Sequence, residues 1–134
     1  MFVGVDHVGV VVKDLDAAVK FYSEVLGFKL ESVHILTEQK VKIAFLSCGG
    51  DTRIELIEPL GGDTLPANFL ETCGEGIHHV AIRVRGIESI LEDFKRKGVF
   101  FFDEKPRIGV KDEKIAFINP KNTHGVILEL VEKP

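Results

Sequence analysis

The sequence predicts an α+β fold made of two copies of a β-α-β-β-β unit, here called modules. The segment Lys42–Phe45 reads Lys-Ile-Ala-Phe and recurs as Lys114–Phe117, 72 residues later. The same spacing aligns Val5–Val8 with Ile77–Val80, and several ordered matches at one spacing indicate a duplicated unit. Two copies are too few to stack as a solenoid, so we expect them to pair and share one core.

The length and composition suit a single domain. The chain has 134 residues, of which 45% are hydrophobic and 28% charged, enough apolar side chains to exclude intrinsic disorder. We predict one domain over residues 1–134. Module one covers about residues 1–60, a linker about 61–75 and module two about 76–134.

Module one begins with the apolar, β-branched run Val3–Val12, which predicts a strand. Asp14 can cap the helix that follows, because apolar residues recur at helical spacing directly after it. Gly27 supplies the C-terminal stop of that helix. Three further strands are predicted near Phe28–Leu36, Val41–Ser47 and Arg53–Glu58.

The linker holds a short helical segment near Ala67–Glu71, and module two then repeats the pattern. Its helix, Ile87–Lys97, has one apolar stripe and ends at Gly98. Charge and a glycine predict a loop over Pro106–Asp112, mobile or facing a ligand. The strands of module two are predicted near Ile77–Val84, Val99–Phe102, Lys114–Ile118 and Val126–Glu132.

Charge and cysteine content exclude several classes of partner. Lys and Arg total 17 and Asp and Glu total 21, a net charge of −4, which argues against nucleic acid or an anionic membrane. No segment approaches the roughly 18–20 apolar residues of a membrane-spanning helix. The start Met1–His7 runs directly into a strand pattern, so we expect no signal peptide. Cys48 and Cys73 form no CxxC pair and predict reduced thiols in a cytoplasmic protein.

Two histidines occupy equivalent positions at the start of the two modules. His7 and His79 lie on predicted strands, with the small residues Gly9 and Ala81 two positions further along the same faces. His78 points to the opposite face and is expected to be structural. The remaining two histidines, His34 and His124, have no partner pattern and are not expected to be functional.

The last predicted strand of each module carries a glutamate at an equivalent position. Glu129 is placed mid-strand among apolar neighbours, and Glu55 is its counterpart. A buried carboxylate needs a charge, hydrogen-bond donors or a metal. If the modules pair, these glutamates can converge with His7 and His79, a set that suits Co, Mn, Ni, Fe or Zn. The other interpretation is structural: each histidine is a satisfied core residue, and Arg53 neutralises Glu55.

The paired β-α-β-β-β modules resemble the vicinal oxygen chelate superfamily, which includes glyoxalase I, extradiol dioxygenases and antibiotic-resistance proteins. That resemblance covers essentially the whole chain and implies a curved, barrel-like mixed sheet with the helices outside. Within the superfamily, several stretches are similar to the methylmalonyl-CoA epimerases. They are Ile54–Gly61, Gly74–Ala81, Pro106–Gly109, Ile118–Lys121 and Gly125–Leu130.

The resemblance implies an isomerase that holds one divalent metal ion per chain. The implied ligands are His7, Glu55, His79 and Glu129, and the implied reaction interconverts the C2 epimers of methylmalonyl-CoA. A metal-stabilised enolate would connect the two epimers, with Glu129 as one acid/base group. The implied partners are an acyl-CoA substrate and a second copy of the chain in a homodimer.

One departure from the family pattern concerns the second acid/base group. Some members have a second glutamate on the third strand, where this chain has Lys42 or Ile43. The identity of the second acid/base group is therefore open, and the candidates are Lys42, Lys114 or a bound water. Candidates for contacts with the CoA phosphates are Lys111, Lys114, Lys121 and Arg107. Two other functions share the fold. One is a glyoxalase I-like lactoylglutathione lyase, and the other is a metal-free resistance protein that binds a small molecule.

Overall fold

The computed structural model describes residues 1–134 and contains eight strands and three α-helices. Helix α1 continues into a π-helical segment, and a 3-10 turn precedes β7. The predicted order β-α-β-β-β occurs twice, with α2 between the two copies. The bounds are β1 Phe2–Val11, α1 Leu15–Lys20, the π-helical segment Phe21–Val25, β2 Lys29–Leu36, β3 Val41–Ser47, β4 Arg53–Pro59, α2 Leu65–Cys73, β5 Gly76–Val84, α3 Ile87–Arg96, β6 Arg107–Ile108, the 3-10 turn Val110–Asp112, β7 Lys114–Ile118 and β8 Leu128–Glu132.

The residues group into two compact units. The amino-terminal unit, His7–His78, has the strand order β2-β3-β4-β1, in which β1 and β4 run parallel and the other pairs antiparallel. The carboxy-terminal unit comprises Met1–Asp6 and His79–Pro134 and has the order β1-β5-β8-β7-β6. Its strands β5 and β8 run parallel, whereas β7 pairs antiparallel with both β6 and β8.

Helix α1 covers one face of the sheet in the amino-terminal unit. Val12, Leu15, Ala44, Leu46 and Leu56 are buried together there, and the partly buried residues around them include the helical Ala18, Val19 and Tyr22. Burying each large apolar side chain contributes roughly 1.5–3 kcal/mol. The apolar stripe read from the sequence is therefore the face that α1 presents to the sheet. The opposite face of the same strands is left for the polar residues.

Helix α3 covers one face of the sheet in the carboxy-terminal unit. Ile87 and Leu91 of the helix are buried against Val84 and Leu130 of the strands, with Ala116 and Ile118 completing the cluster. Ile82 packs against the same cluster, so alternation along β5 directs Ile82 and Val84 to the helix. His79, Ala81 and Arg83 consequently share the other face.

In each unit a glutamate of the last strand accepts hydrogen bonds from backbone amides at the start of the neighbouring helix. Glu58 Oε1 accepts a 2.7 Å hydrogen bond from the Leu15 amide, in addition to the predicted cap by Asp14. Glu132 accepts from the amides of Gly86 and Ile87, at 2.7 and 3.2 Å. Because Gly86 has no side chain, Glu132 replaces the missing cap of α3.

Two predicted boundaries in the carboxy-terminal unit are wrong. The stretch predicted as a loop over Pro106–Asp112 contains β6, because Arg107 and Ile108 pair with β7. The strand predicted near Val99–Phe102 is reduced to a single bridge between Phe101 and Ile118. The pairing stops there because the Asp103 carboxylate accepts the hydrogen bond from the Phe117 amide.

The last strand also begins later than predicted, at Leu128 rather than Val126. The Thr123 hydroxyl donates a hydrogen bond to the Val126 carbonyl, and Val126 lies outside the strand, directly after the turn. Cys48 and Cys73 are both exposed and unpaired. None of the helices combines the length and apolar content needed to cross a bilayer.

Candidate metal centre

A buried histidine–glutamate pair lies in the amino-terminal unit. Strands β1 and β4 are parallel neighbours, and their register places Glu55 beside Gly9. Because Gly9 has no side chain, the Glu55 carboxylate can lean towards His7, and Oε1 lies 3.4 Å from the His7 Nε2. Both residues are buried. The small residue after the histidine thus makes room for a carboxylate of the neighbouring strand.

The carboxy-terminal unit contains the equivalent pair. Strands β5 and β8 are parallel neighbours whose register places Glu129 beside Ala81. Glu129 Oε1 lies 3.2 Å from the His79 Nε2, and both residues are buried. Glycine in one unit and alanine in the other are small enough for the same arrangement. The structure therefore forms the same histidine–carboxylate pair twice, from equivalent strands.

The donor atoms have the spacing that a metal ion requires. Within each unit the histidine nitrogen and the glutamate oxygen lie close together, 3.4 Å apart for His7 and Glu55 and 3.2 Å apart for His79 and Glu129. Ligand atoms about 2.1 Å from one ion lie roughly 3.0–3.4 Å apart at right-angled or tetrahedral geometry. The two histidine–glutamate distances fall at this spacing, so the residues fit a divalent ion that accepts nitrogen and oxygen ligands.

An aromatic ring packs edge-on against each histidine, and both rings come from the repeated Lys-Ile-Ala-Phe segment. The rings of His7 and Phe45 have centroids 5.6 Å apart and an interplanar angle of 78°. The rings of His79 and Phe117 lie 5.7 Å apart at 89°. In the sequence alone, this segment indicates only the duplication. Its recurrence beside two recurring histidines was the signal that could have assigned the phenylalanines to the site.

Each phenylalanine is in turn covered by an arginine. The Arg53 guanidinium carbon lies 4.2 Å from the Phe45 ring centroid, within the usual range of a cation–π contact. The Arg107 guanidinium carbon lies 5.5 Å from the Phe117 ring centroid and is also held by Asp103, 2.8 Å from Arg107 Nε. The sequence suggests Arg53 only as a neutraliser of Glu55, and the structure also places its guanidinium over an aromatic face.

A second cluster of charges surrounds Asp6, the residue before His7. Asp6 is fully buried, and its Oδ1 accepts hydrogen bonds from Arg83 Nε at 3.0 Å and Arg83 Nη2 at 2.5 Å. Lys133 Nζ lies 3.5 Å from the same oxygen and 2.7 Å from Glu113. Two positive and two negative groups therefore compensate one another, which makes burial of the carboxylates tolerable.

The structure places both lysine candidates for the second acid/base group on the helix side of the sheet. Lys42 Nζ lies 3.4 Å from Asp16 of α1, whereas its neighbour Ile43 points to the opposite face and is buried. Lys114 Nζ donates a 2.7 Å hydrogen bond to Glu88 of α3. That bond raises the pKa of Lys114 and lowers the pKa of Glu88. Lys114 is thus held in its protonated form, which cannot accept a proton.

The other sequence candidates lie apart from the histidine–glutamate pairs. His78 is buried against the ring of Phe69 in α2, with centroids 5.3 Å apart, as expected for a structural residue. His124 is exposed in the turn before β8 and has a positive φ of 58°. Lys111 and Lys121, considered for the CoA phosphates, are exposed. His34 is the exception, because it lies on the same face as His7 and Glu55.

Two β-α-β-β-β modules with a buried histidine–glutamate pair in each define a class of α+β proteins whose residues fit a divalent metal ion. The chain belongs to the glyoxalase/bleomycin resistance protein/dioxygenase superfamily, whose family model matches residues 6–117. The family predicted from the sequence is therefore confirmed, and the predicted fold class is confirmed with it.

Within the superfamily the chain is similar to methylmalonyl-CoA epimerases. It is 36% identical over 126 residues to the mitochondrial enzyme of Mus musculus, covering 93% of this chain and 70% of that protein. The crystal structure of the Mycobacterium tuberculosis epimerase matches with a TM-score of 0.92 at 36% identity, over 98% of this chain and 88% of that chain. A variant of the Streptomyces coelicolor epimerase, in complex with 2-nitronate-propionyl-CoA, matches with a TM-score of 0.92 at 35% identity, over 99% of each chain.

Proposed function

We propose that this protein is a metal-dependent epimerase that interconverts the two C2 epimers of methylmalonyl-CoA. The observation that carries the proposal is the duplicated pair, His7 with Glu55 and His79 with Glu129, buried at equivalent positions of two units. Similarity to epimerases over nearly the whole chain supports the choice of substrate. The Streptomyces relative supports it further, since its ligand carries a planar anion at C2.

The proposed metal ligands are His7, Glu55, His79 and Glu129, which take up one divalent ion per chain. Imidazole and carboxylate donors suit Co, Mn, Ni, Fe or Zn. When bound, the ion supplies Lewis-acid stabilisation of the negative charge that develops on the substrate oxygens. The edge-on rings of Phe45 and Phe117 support this role, because they restrict rotation of the two imidazoles.

Glu129 is the proposed acid/base group on one face of C2. The C2–H bond breaks, its proton passes to a carboxylate oxygen of Glu129, and the electron pair delocalises towards the thioester oxygen. Inversion follows when a second group delivers a proton to the opposite face of C2. A positioned general acid or base contributes about 10²–10⁴-fold to the rate. Burial of Glu129 among apolar strand residues supports this role by excluding water from the reacting atoms.

The remaining sequence predictions belong to the same proposal. The chain acts as one domain, on an acyl-CoA in the cytoplasm, and as a homodimer. Exposed, unpaired thiols at Cys48 and Cys73 support a reducing compartment. Large apolar side chains exposed along the start of β1, at Phe2, Val3 and Val5, support an interface with a second copy.

A direct assay separates this function from the other functions of the fold. A single epimer of methylmalonyl-CoA is incubated with protein loaded with each candidate metal, and the epimer ratio is followed by chiral chromatography. We expect conversion to an equal mixture of epimers at a rate that rises with protein concentration. Turnover of the hemithioacetal of methylglyoxal and glutathione, with no change in epimer ratio, would instead identify a lactoylglutathione lyase. Tight binding of small molecules with neither activity would identify a binding protein.

A further inference from the structure

His34 shares a sheet face with the histidine–glutamate pair of the amino-terminal unit. In the antiparallel ladder of β2 and β3, His34 lies directly opposite Ile43, and Ser32 lies opposite Phe45. In the next ladder Phe45 lies opposite Glu55. Directly opposed residues point to the same face of a sheet. His34 therefore faces the same side as Glu55, away from helix α1.

The His34 ring is held in place without using both of its nitrogens. Its Nε2 lies 3.0 Å from the Ser32 hydroxyl, which is the hydrogen bond of the side chain. The ring packs edge-on to Phe45, with centroids 6.2 Å apart and an interplanar angle of 72°. Phe45 also contacts the His7 ring on the same face. The half-buried His34 imidazole thus uses Nε2 for the contact with Ser32, which leaves Nδ1 for proton transfer. Through Phe45 the ring is held on the same face as His7, a proposed metal ligand.

The proposed reaction needs a second acid/base group, and the third strand does not supply one. Lys42 and Lys114 are engaged with acidic residues of the helices, and Ile43 has no titratable group. Directly across the ladder from Ile43 stands His34. Imidazole is the side chain best suited to exchange protons near neutral pH. On this face of the sheet, the β2 residue His34 can therefore exchange a proton where Ile43 of β3 cannot.

We propose that His34 is the second acid/base residue of the epimerase, on the face of C2 opposite to Glu129. This inference rests on the function proposed above. In one direction Glu129 takes the C2 proton, and the protonated His34 returns its own proton from Nδ1, directly or through one water. In the other direction Nδ1 accepts the C2 proton and Glu129 returns one. Each epimer therefore loses its proton to a different residue.

The test measures deuterium exchange and inversion separately for each epimer. Pure epimers are incubated in D2O with the metal-loaded parent, with His34→Gln and with the control His124→Gln. In His34→Gln we expect the epimer whose C2–H faces Glu129 to exchange within about threefold of the parent rate. The exchange of the other epimer and the rate of inversion should fall by about 10²–10⁴. His124→Gln should match the parent for both epimers.

Imidazole rescue provides a second readout that a structural role would not produce. In His34→Ala, added imidazole should restore exchange of the affected epimer and leave the other unchanged. Equal loss of exchange for both epimers in His34→Gln, or inversion within threefold of the parent rate, would overturn the proposal. An inactive parent would instead contradict the proposed function itself, so the two failures are distinguishable.

Discussion

The ring of Phe117 meets the imidazole of His79 edge-on, with centroids 5.7 Å apart and planes inclined at 89°. The same contact recurs between Phe45 and His7 in the other unit. Edge-to-face packing fixes the ring plane of a histidine without using either nitrogen. The ring contact thus orients each imidazole while its Nε2 faces the glutamate of the same unit, Glu129 for His79 and Glu55 for His7. We therefore regard the two phenylalanines as residues that orient the proposed metal ligands.

Replacing Phe117 by leucine should weaken metal binding more than it weakens folding. Leucine keeps most of the buried volume, so the free energy of unfolding should fall by less than about 1.5 kcal/mol. Loss of the ring that orients His79 should lower metal affinity about 10-fold or more. Competitive titration with a metal-sensitive dye measures the affinity. Phe100→Leu is the matched control, since Phe100 is largely exposed, and equal affinities in both variants would contradict the assigned role.

Glu129→Gln should separate proton transfer from metal binding. Glutamine keeps the shape and one oxygen donor, so the fold and part of the metal affinity should remain. Removing the basic carboxylate should lower C2 proton exchange by about 10²–10⁴ at saturating metal. The measurement is exchange by mass spectrometry, with metal content determined on the same samples.

Glu55→Gln is the matched control for Glu129→Gln. Glu55 contacts the equivalent histidine but is assigned only to metal binding, so this variant should stay within about tenfold of the parent exchange rate at saturating metal. If Glu129→Gln exchanges as fast as Glu55→Gln with metal bound, Glu129 is not the base. The proton would then have to leave through another group.

The lysines of the helix side should be dispensable for catalysis. Lys114 donates to Glu88 and its pKa is raised by that bond, so it stays protonated across neutral pH. Lys42 Nζ lies 3.4 Å from Asp16 Oδ1 of α1, also on the helix side of the sheet. Lys42→Gln and Lys114→Gln should each keep kcat within about threefold, because both lysines contact acidic residues of the helices, on the side of the sheet away from the histidine–glutamate pairs. A decrease in kcat of about 10²-fold or more in either variant would instead indicate that the lysine acts as an acid/base group.

Glu132 should contribute to stability through the start of helix α3. It accepts hydrogen bonds from two orphan amides, and Gly86 has no side chain that could replace it. Glu132→Ala should therefore cost about 1–2 kcal/mol in free energy of unfolding, the usual effect of losing an N-terminal cap. Glu132→Gln keeps an acceptor oxygen and should lose clearly less. Chemical denaturation measures both, and equal losses would show that charge rather than hydrogen bonding matters.

The sequence was sufficient to predict the order of elements in module one, and the family resemblance implied the four proposed ligands. Alternation along the apolar strands made His7 and His79 stand out as polar residues, and the internal repeat placed them at equivalent positions. Helix α1 of module one and helix α3 of module two each have one apolar stripe. The helical periodicity therefore also predicted which side chains pack against the sheets. These features depend on local spacing, which a single sequence records directly.

The rest depended on register between strands, which a single sequence does not record. His34 had no partner pattern of its own and gained one only when β2 was aligned with β3, opposite Ile43. Phe117 was recognised as a repeat residue but not as a neighbour of His79. Strand β6 was missed because two residues are too few to give a periodic signal, and pairing with β7 alone creates it.

The measurement that tests the central claim most directly is metal-dependent exchange of the C2 hydrogen of methylmalonyl-CoA. The protein is stripped with a chelator, and exchange in D2O is compared before and after one equivalent of divalent metal is restored, in the parent and in His79→Ala. The parent should exchange the hydrogen only when metal is present. His79→Ala should lose both tight metal binding and exchange, because it lacks one of the four proposed donors and leaves Glu129 without the histidine nitrogen that lies 3.2 Å away. Full exchange by the chelated parent, or by His79→Ala without bound metal, would contradict the account.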